Sequence, residues 1–236
     1  MKGSCTVAGA VVLGVGPGIG TSVARAFARD GLPIGLVARS RATVDAARRA
    51  LPDPGVPTYL AEADASNPDQ VRAALSGFED AFGVPEVVVY NAALIQSDAV
   101  GDLDVQRHLD AWSVNVVGAI TSAAHILPRM AARGSGTFLI TGGMPEAKPD
   151  YLSLSLGKAG VRALVEALDA QFAPAGVHVA SVTVDGSVAP GTDFDPDDIA
   201  EHYRRLHAQP RARWEREVLH SEAQNANATE PSSALI

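Results

Sequence analysis

The sequence predicts a three-layer α/β fold, a doubly wound parallel sheet with helices on both faces. Three observations predict it. Short apolar runs of strand length alternate with longer segments of helical period, the pattern of repeated βαβ units. The connections between them are short and carry Gly, Pro or Asp, residues that end one element and turn the chain into the next. A glycine-rich turn joins the first apolar run directly to the first helical segment, as where a buried parallel strand feeds a helix.

Strands are expected over 6–13, 34–38, 58–61, 86–90, 137–141 and 178–183, and helices over 19–30, 42–50, 68–82, 105–133 and 152–173. After the sixth strand the rhythm breaks. Residues 185–198 are rich in Gly, Pro and Asp and precede a short amphipathic stretch, 199–208, so 185–208 reads as a lid or substrate loop. A last edge strand fits 215–220. The chain of 236 residues suits one such domain over 1–220, since open parallel sheets often run past 200 residues. The polar segment 221–236 offers little to bury and is expected to be a disordered tail.

Composition narrows the function classes. With 47% hydrophobic and 19% charged residues the chain has the make-up of a globular enzyme. A net charge of −8 argues against nucleic acid and anionic membrane as partners, because either calls for a basic face. No apolar stretch reaches the roughly 18 residues that a spanning helix needs. The lone cysteine, Cys5, has no internal partner for a disulfide, which makes the cytoplasm the expected compartment. The six histidines show no metal-ligand spacing, and no metal is expected.

The first strand ends in Gly14, Val15, Gly16, Pro17, Gly18, Ile19 and Gly20, and a helix rich in small residues follows. In that context backbone N–H groups and the helix N-terminus can meet a pyrophosphate. Gly14 allows the tight turn, Gly18 lets the backbone approach the ligand, and Gly20 lets the helix pack closely on the strand. The spacing Gly14, Gly18, Gly20 resembles the GxxxGxG pattern of the short-chain dehydrogenase/reductase family. Further residues carry the resemblance in order: Asp64 with Ala65 after the third strand, Asn91-Ala92-Ala93 after the fourth in place of the family's NAG, Asn115 in the next helix, and Lys158 in Gly-Lys-Ala-Gly. The resemblance covers about residues 5–190 and implies a Rossmann-type sheet that binds a nicotinamide dinucleotide, with Asp64 at the adenine. It also implies that the apolar segments 105–132 and 156–172 pair across a homodimer or homotetramer.

The residue that ends strand two of such a unit meets the adenosine ribose. An acid there pairs with the 2′-OH of NAD, whereas an arginine can hold the 2′-phosphate of NADP. Here Ala38 is followed by Arg39, with Arg41 near it, so NADP is favoured and NAD is the alternative.

The resemblance fails at the catalytic apparatus. Family members place a Tyr four residues before the active-site Lys, one helical turn away, where it passes a proton to a carbonyl. Four residues before Lys158 stands Leu154, which carries no acidic proton. The hydroxyl that polarises the carbonyl comes 13 residues before that Tyr, which places it at Thr141. Tyr151, seven residues before Lys158, is the candidate substitute for the phenol. Ser153 and Ser155 are turned about 100° from Leu154 and suit capping or surface roles. The resemblance implies that Lys158 holds the nicotinamide ribose and that Asn115 binds backbone and water. Past strand six the family's PGxxxT becomes Asp-Gly-Ser-Val-Ala-Pro; Gly186 survives, Pro190 replaces the hydroxyl, and the Val188 backbone is left to meet the carboxamide. Two functions follow: an NADP-dependent oxidoreductase acting on a carbonyl or related small molecule, or a dinucleotide-binding protein, regulatory, scaffolding or enzymatic, that does no redox chemistry.

Overall fold

The structure is a computed structural model and describes residues 8–222. Cys5, the first two residues of the expected first strand and the expected tail over 223–236 lie outside the described residues. Seven parallel strands form one sheet in the order β3-β2-β1-β4-β5-β6-β7. They are β1 (Ala10–Leu13), β2 (Ile34–Ala38), β3 (Thr58–Glu62), β4 (Val87–Tyr90), β5 (Gly136–Thr141), β6 (Val177–Val184) and β7 (Glu217–His220). The helices are α1 (Ile19–Arg29), α2 (Arg41–Arg49), α3 (Pro68–Phe82), α4 (Val105–Trp112), α5 (Gly118–Arg133), α6 (Leu152–Phe172) and α7 (Pro196–Ala208).

Local sequence explains the helix boundaries. Ser40, Asn67, Asp104 and Asp195 each accept a hydrogen bond from a first-turn backbone N–H, at α2, α3, α4 and α7, which satisfies donors that a helix start leaves free. Gly134 closes α5 in the left-handed conformation, where a Cβ is costly. The single helix expected over 105–133 is two, α4 and α5, joined by a π turn over Ser113–Val117. A π turn inserts one residue into the hydrogen-bond ladder, and Asn115 sits at its centre.

Covered on both faces, β1, β2, β4 and β6 are buried along their whole length, as a parallel sheet between two helical layers requires. Alternate residues divide between two cores. Ala10 and Val12 face α1, α2 and α7 with Phe27 and Tyr203, while Val11 and Leu13 face α3, α5 and α6 with Phe78 and Met130. Truncating Phe27 or Phe78, both fully buried, to alanine removes about 3–5 kcal/mol.

The segment 185–208, expected as one lid, divides into two parts. Ile199, Tyr203 and Leu206 of α7 are fully buried and pack with α1, so this helix belongs to the layer under the sheet. Ion pairs Arg29–Glu201 at 2.7 Å and Arg204–Asp30 at 2.6 Å edge that contact; at the surface such pairs add about 1 kcal/mol or less each. Of the expected lid, 185–188 borders the cleft described next.

Candidate functional site

Strand order reverses on the two sides of the β1–β4 pair, and a doubly wound sheet opens its ligand crevice there, at the strands' carboxyl ends. The chain has a cleft of about 1060 Å³ at this place, running from Arg39 past the glycine turn to Lys158 and Val188.

Gly14, Gly18 and Gly20 of the turn each have a geometric reason. Gly14 has φ +98°, and a Cβ there would fall 2.5 Å from the Ala92 amide nitrogen. At Gly20 a Cβ would stand 2.2 Å from the Gly14 carbonyl, so this position lets α1 pack on the end of β1. Gly18 is different. A Cβ there would meet only Val188 Cγ1, at 3.8 Å; the space a side chain would take is the cleft itself. Ile19 opens α1 beside it, and no side chain caps this helix start.

At one end of the cleft Arg39 is exposed just past β2. It has no ion pair among the described residues, whereas Arg41 is engaged with Asp45 at 2.9 Å and does not line the cleft. Asp64 and Ala65 line the same end. The Asp64 carboxyl accepts from the backbone N–H and the hydroxyl of Ser66, at 2.8 and 2.7 Å. These bonds and then the nearby Arg39 charge hold it below the usual carboxylate range.

In the middle, Asn91 donates through Nδ2 to the Gly14 carbonyl at 2.7 Å and accepts through Oδ1 from the Thr141 hydroxyl at 2.7 Å. Thr141 Oγ1 also lies 2.7 Å from the hydroxyl of Tyr203 on α7. A hydroxyl has one hydrogen. Thr141 gives it to Asn91, so Tyr203 is the donor in the second bond, and no hydrogen is left for a substrate carbonyl. The role expected for Thr141 therefore does not fit this arrangement; the residue is a clamp between the ends of β4, β5 and α7. Tyr203 is fully buried, which keeps its phenol protonated well above the usual range.

The other end is built on α6. Lys158 is 7% exposed and donates from Nζ to the Thr141 carbonyl at 2.7 Å. Burial pushes its pKa down to about 8, because a low-dielectric site disfavours the ammonium form. Leu154 is buried in the cleft wall with it. Tyr151 lines the cleft too, yet it is the residue before the first turn of α6, with φ −141°, so the helical face it was expected to share with Lys158 does not reach it. Asn115 is buried and holds the loop after β4: Oδ1 accepts from the Leu94 N–H at 2.8 Å and Nδ2 donates to the Leu94 carbonyl at 3.2 Å. Gly157 gives it room, since a Cβ there would fall 2.8 Å from Asn115 Cβ.

Ser153 and Ser155 are buried structural groups rather than surface ones. Ser153 donates through N–H and hydroxyl to the carboxylate of buried Asp98, at 3.0 and 2.9 Å. Gly186 lines the cleft but earns its place by packing, as a Cβ would fall 2.2 Å from the Phe194 ring. Sequence reasoning missed Tyr203, Asp98, Lys148 and Arg162. Lys148 lines the cleft, and Arg162 donates to the Gly143 and Met144 carbonyls at 3.2 and 2.9 Å. For Tyr203 a signal existed, the 199, 203, 206 helical spacing of apolar residues; the others depend on loop geometry. No cluster of three or more His, Cys, Asp or Glu suited to a metal occurs among the described residues.

These residues fit a nicotinamide dinucleotide. A side-chain-free backbone at Gly18, an uncapped helix start and an unpaired Arg39 line one continuous cleft. Fold and cleft define a Rossmann-type dinucleotide-binding enzyme. Residues 8–194 match the family model for short chain dehydrogenase, and the chain belongs to that family of NAD(P)-dependent oxidoreductases. It is 28% identical over 206 residues to an uncharacterized oxidoreductase of Staphylococcus saprophyticus, covering 81% of this chain and 87% of that one. An uncharacterized oxidoreductase of Staphylococcus aureus is 25% identical over 213 residues, 86% of this chain and 91% of its own. Among solved structures, an alcohol dehydrogenase from the archaeon Thermococcus sibiricus, complexed with 5-hydroxy-NADP, superposes with a TM-score of 0.80 at 25% identity, covering 89% of this chain and 95% of that one. A short-chain dehydrogenase from Rhodopseudomonas palustris shares the fold with a TM-score of 0.82 at 23% identity, covering 90% and 97%.

Proposed function

We propose that this protein is an NADP-dependent oxidoreductase acting on a carbonyl or related small-molecule substrate. The observation that carries the choice of dinucleotide is Arg39, exposed at the end of β2, lining the cleft and without an ion pair among the described residues. A guanidinium so placed offers a fork of donors to a 2′-phosphate. The Thermococcus relative bound to 5-hydroxy-NADP supports the same choice.

Gly14, Gly18, Ile19 and Gly20 would hold the pyrophosphate, Asp64 and Ala65 the adenine end, and Lys158, Asn91, Ala92, Gly186 and Val188 the nicotinamide half. When bound, the dinucleotide supplies a hydride to a carbonyl carbon, or accepts one in the reverse direction. The chain's own task is then to place a proton on the carbonyl oxygen. Leu154 carries none and Thr141 has committed its own, which leaves the Tyr151 phenol at the cleft wall. Lys158 adds positive charge beside the reacting oxygen. The same two observations favour a second reading, a dinucleotide-binding protein without redox activity.

The small-molecule reading agrees with the cleft, and no helix among the described residues is long and apolar enough to cross a membrane. A cytoplasmic location and assembly with a second copy, through the exposed Val105, Leu109, Trp112, Ile120 and Leu156, are part of the proposal. The test is oxidation of NADPH against a panel of aldehydes, ketones, quinones and imines, with both dinucleotides titrated in parallel. NADPH should bind more tightly than NADH, and Arg39→Ala should remove most of the difference. Equal affinity for the two, before and after the change, would discard the Arg39 assignment. A protein that binds NADPH and turns over none of the panel would be the redox-silent one.

A further inference from the structure

The protein carries a net charge of −8, yet two ammonium groups, Lys148 and Lys158, line the catalytic end of its cleft against one carboxylate, Asp185. The acids nearest Lys148 in sequence, Glu146 and Asp150, do not line it.

Lys148 is not on a loose loop. Its N–H donates to Ser155 Oγ at 3.0 Å, and its carbonyl accepts from the Tyr151 N–H at 3.0 Å and the Ser155 hydroxyl at 3.4 Å. One residue before Tyr151, the Asp150 carbonyl accepts from the Asp98 N–H at 3.0 Å and the Ser97 hydroxyl at 3.1 Å. The turn 148–151 is thus tied to α6 on one side and to the loop after β4 on the other. Both of its end residues line the cleft, while Pro149 and Asp150 between them do not. The Lys148 ammonium has no ion pair or hydrogen bond among the described residues. The cleft that Lys148 lines also carries the apolar side chains of Leu94, Ile95, Met144 and Leu154, of which Ile95 is 69% exposed.

We propose that the substrate is an oxo acid with an apolar body, whose carboxylate pairs with Lys148 while its carbonyl lies deeper, toward Lys158. This rests on the oxidoreductase reading above and names the substrate class of that site. Lys148 is itself exposed, and an exposed lysine on a mobile loop gains little from an ion pair, because ordering the side chain offsets the attraction. Here the backbone is already ordered, so less freedom is lost on pairing, and a charge-assisted bond is about twice as strong as a neutral one. The apolar wall then selects the rest of the molecule by removing it from water.

The experiment pairs acids with uncharged analogues that share one apolar body. With NADPH present, oxo acids should exceed their methyl esters in kcat/KM by about threefold to fivefold, the range of one ion pair to an exposed lysine. In Lys148→Gln the acid-to-ester ratio should collapse toward one. Independently of turnover, calorimetric titration of the unliganded protein with octanoate and with octanamide should show tighter binding of the carboxylate, a preference weakened by salt and lost in Lys148→Gln. A wild-type acid-to-ester ratio near one, or equal binding of octanoate and octanamide, would overturn the proposal. If octanoate is preferred through Lys148 while no carbonyl compound oxidises NADPH, the anion site stands and the redox reading falls.

Discussion

Asn91 joins three pieces of backbone with one amide. Its two hydrogen bonds, to the Gly14 carbonyl and from Thr141, fix the β1 turn relative to the end of β5, and the bond between Thr141 and Tyr203 extends the tie to α7. That chain consumes the hydroxyl which the resemblance assigns to catalysis, and buried Leu154 stands four residues before Lys158, where the resemblance expects the phenol. Under the proposed function, proton delivery then falls to Tyr151. Tyr151→Phe is expected to lower kcat by about tenfold or more, the scale of one general acid, with NADPH affinity near wild type because Gly18, Arg39 and Lys158 are untouched. Leu154→Tyr restores a phenol one turn from Lys158, and in that background Tyr151→Phe should cost much less. A Tyr151→Phe enzyme with full turnover would assign the proton to solvent or to Lys158. That Leu154 lies one turn from Lys158 is legible from the sequence, because a four-residue spacing on one helix is fixed by helix geometry. The commitment of Thr141 is not, because its hydrogen goes to Asn91, 50 residues away, a partner that only the packing of β4 beside β5 supplies.

Among the elements, those whose pattern is local match expectation closely: β2 and α3 have the expected bounds, and β7 forms as the last parallel strand. The departures occur where tertiary contacts choose. At the π turn Asn115 bonds the Leu94 backbone, 21 residues away, and α7 is a layer helix because Ile199, Tyr203 and Leu206 meet α1. The junction of α7, β7 and the loop before α7 is also tied by histidines. His202 Nε2 lies 2.9 Å from His220 Nδ1, and His220 Nε2 lies 2.8 Å from the Asp193 carbonyl. A carbonyl only accepts, so His220 donates from Nε2 and accepts at Nδ1 from His202. Burial first, then the charges of Arg205 and His220, push His202 down to about 4. Because the folded pKa lies below the usual 6.5, the unfolded chain binds more protons between those values, and stability falls as pH drops through that window. Urea midpoints measured at pH 7 and pH 5 should therefore decline less in His202→Gln than in the wild type. An identical decline in both proteins would remove His202 from the account.

At the scale of the whole molecule, one face remains uncovered. Val105, Leu109 and Trp112 recur at helical spacing along α4 and are exposed, with Ile120 on α5 and Leu156 on α6 exposed as well. Single exposed apolar residues are ordinary, but a run of them on packed neighbouring helices marks a contact surface. The helices beneath are drawn close by small residues. At Gly160 of α6 a Cβ would fall 2.9 Å from the Trp112 ring, so the indole lies on α6 and helps to make one surface of the two helices. Paired with its own copy about a two-fold axis, such a face makes an isologous interface, the arrangement of the proposed homodimer or of a tetramer built from dimers. Light scattering at micromolar concentration should give a mass of two or four times 24.4 kDa. Leu109→Glu should shift the protein toward the monomer while leaving its circular dichroism intact, because Leu109 is 53% exposed within one copy and its loss opens no core cavity. The charge would be desolvated without a partner in the assembled face, a cost of several kcal/mol that the dimer loses and the monomer does not. A wild type that is monomeric at that concentration, or a Leu109→Glu variant with unchanged mass, would assign the face to some other contact.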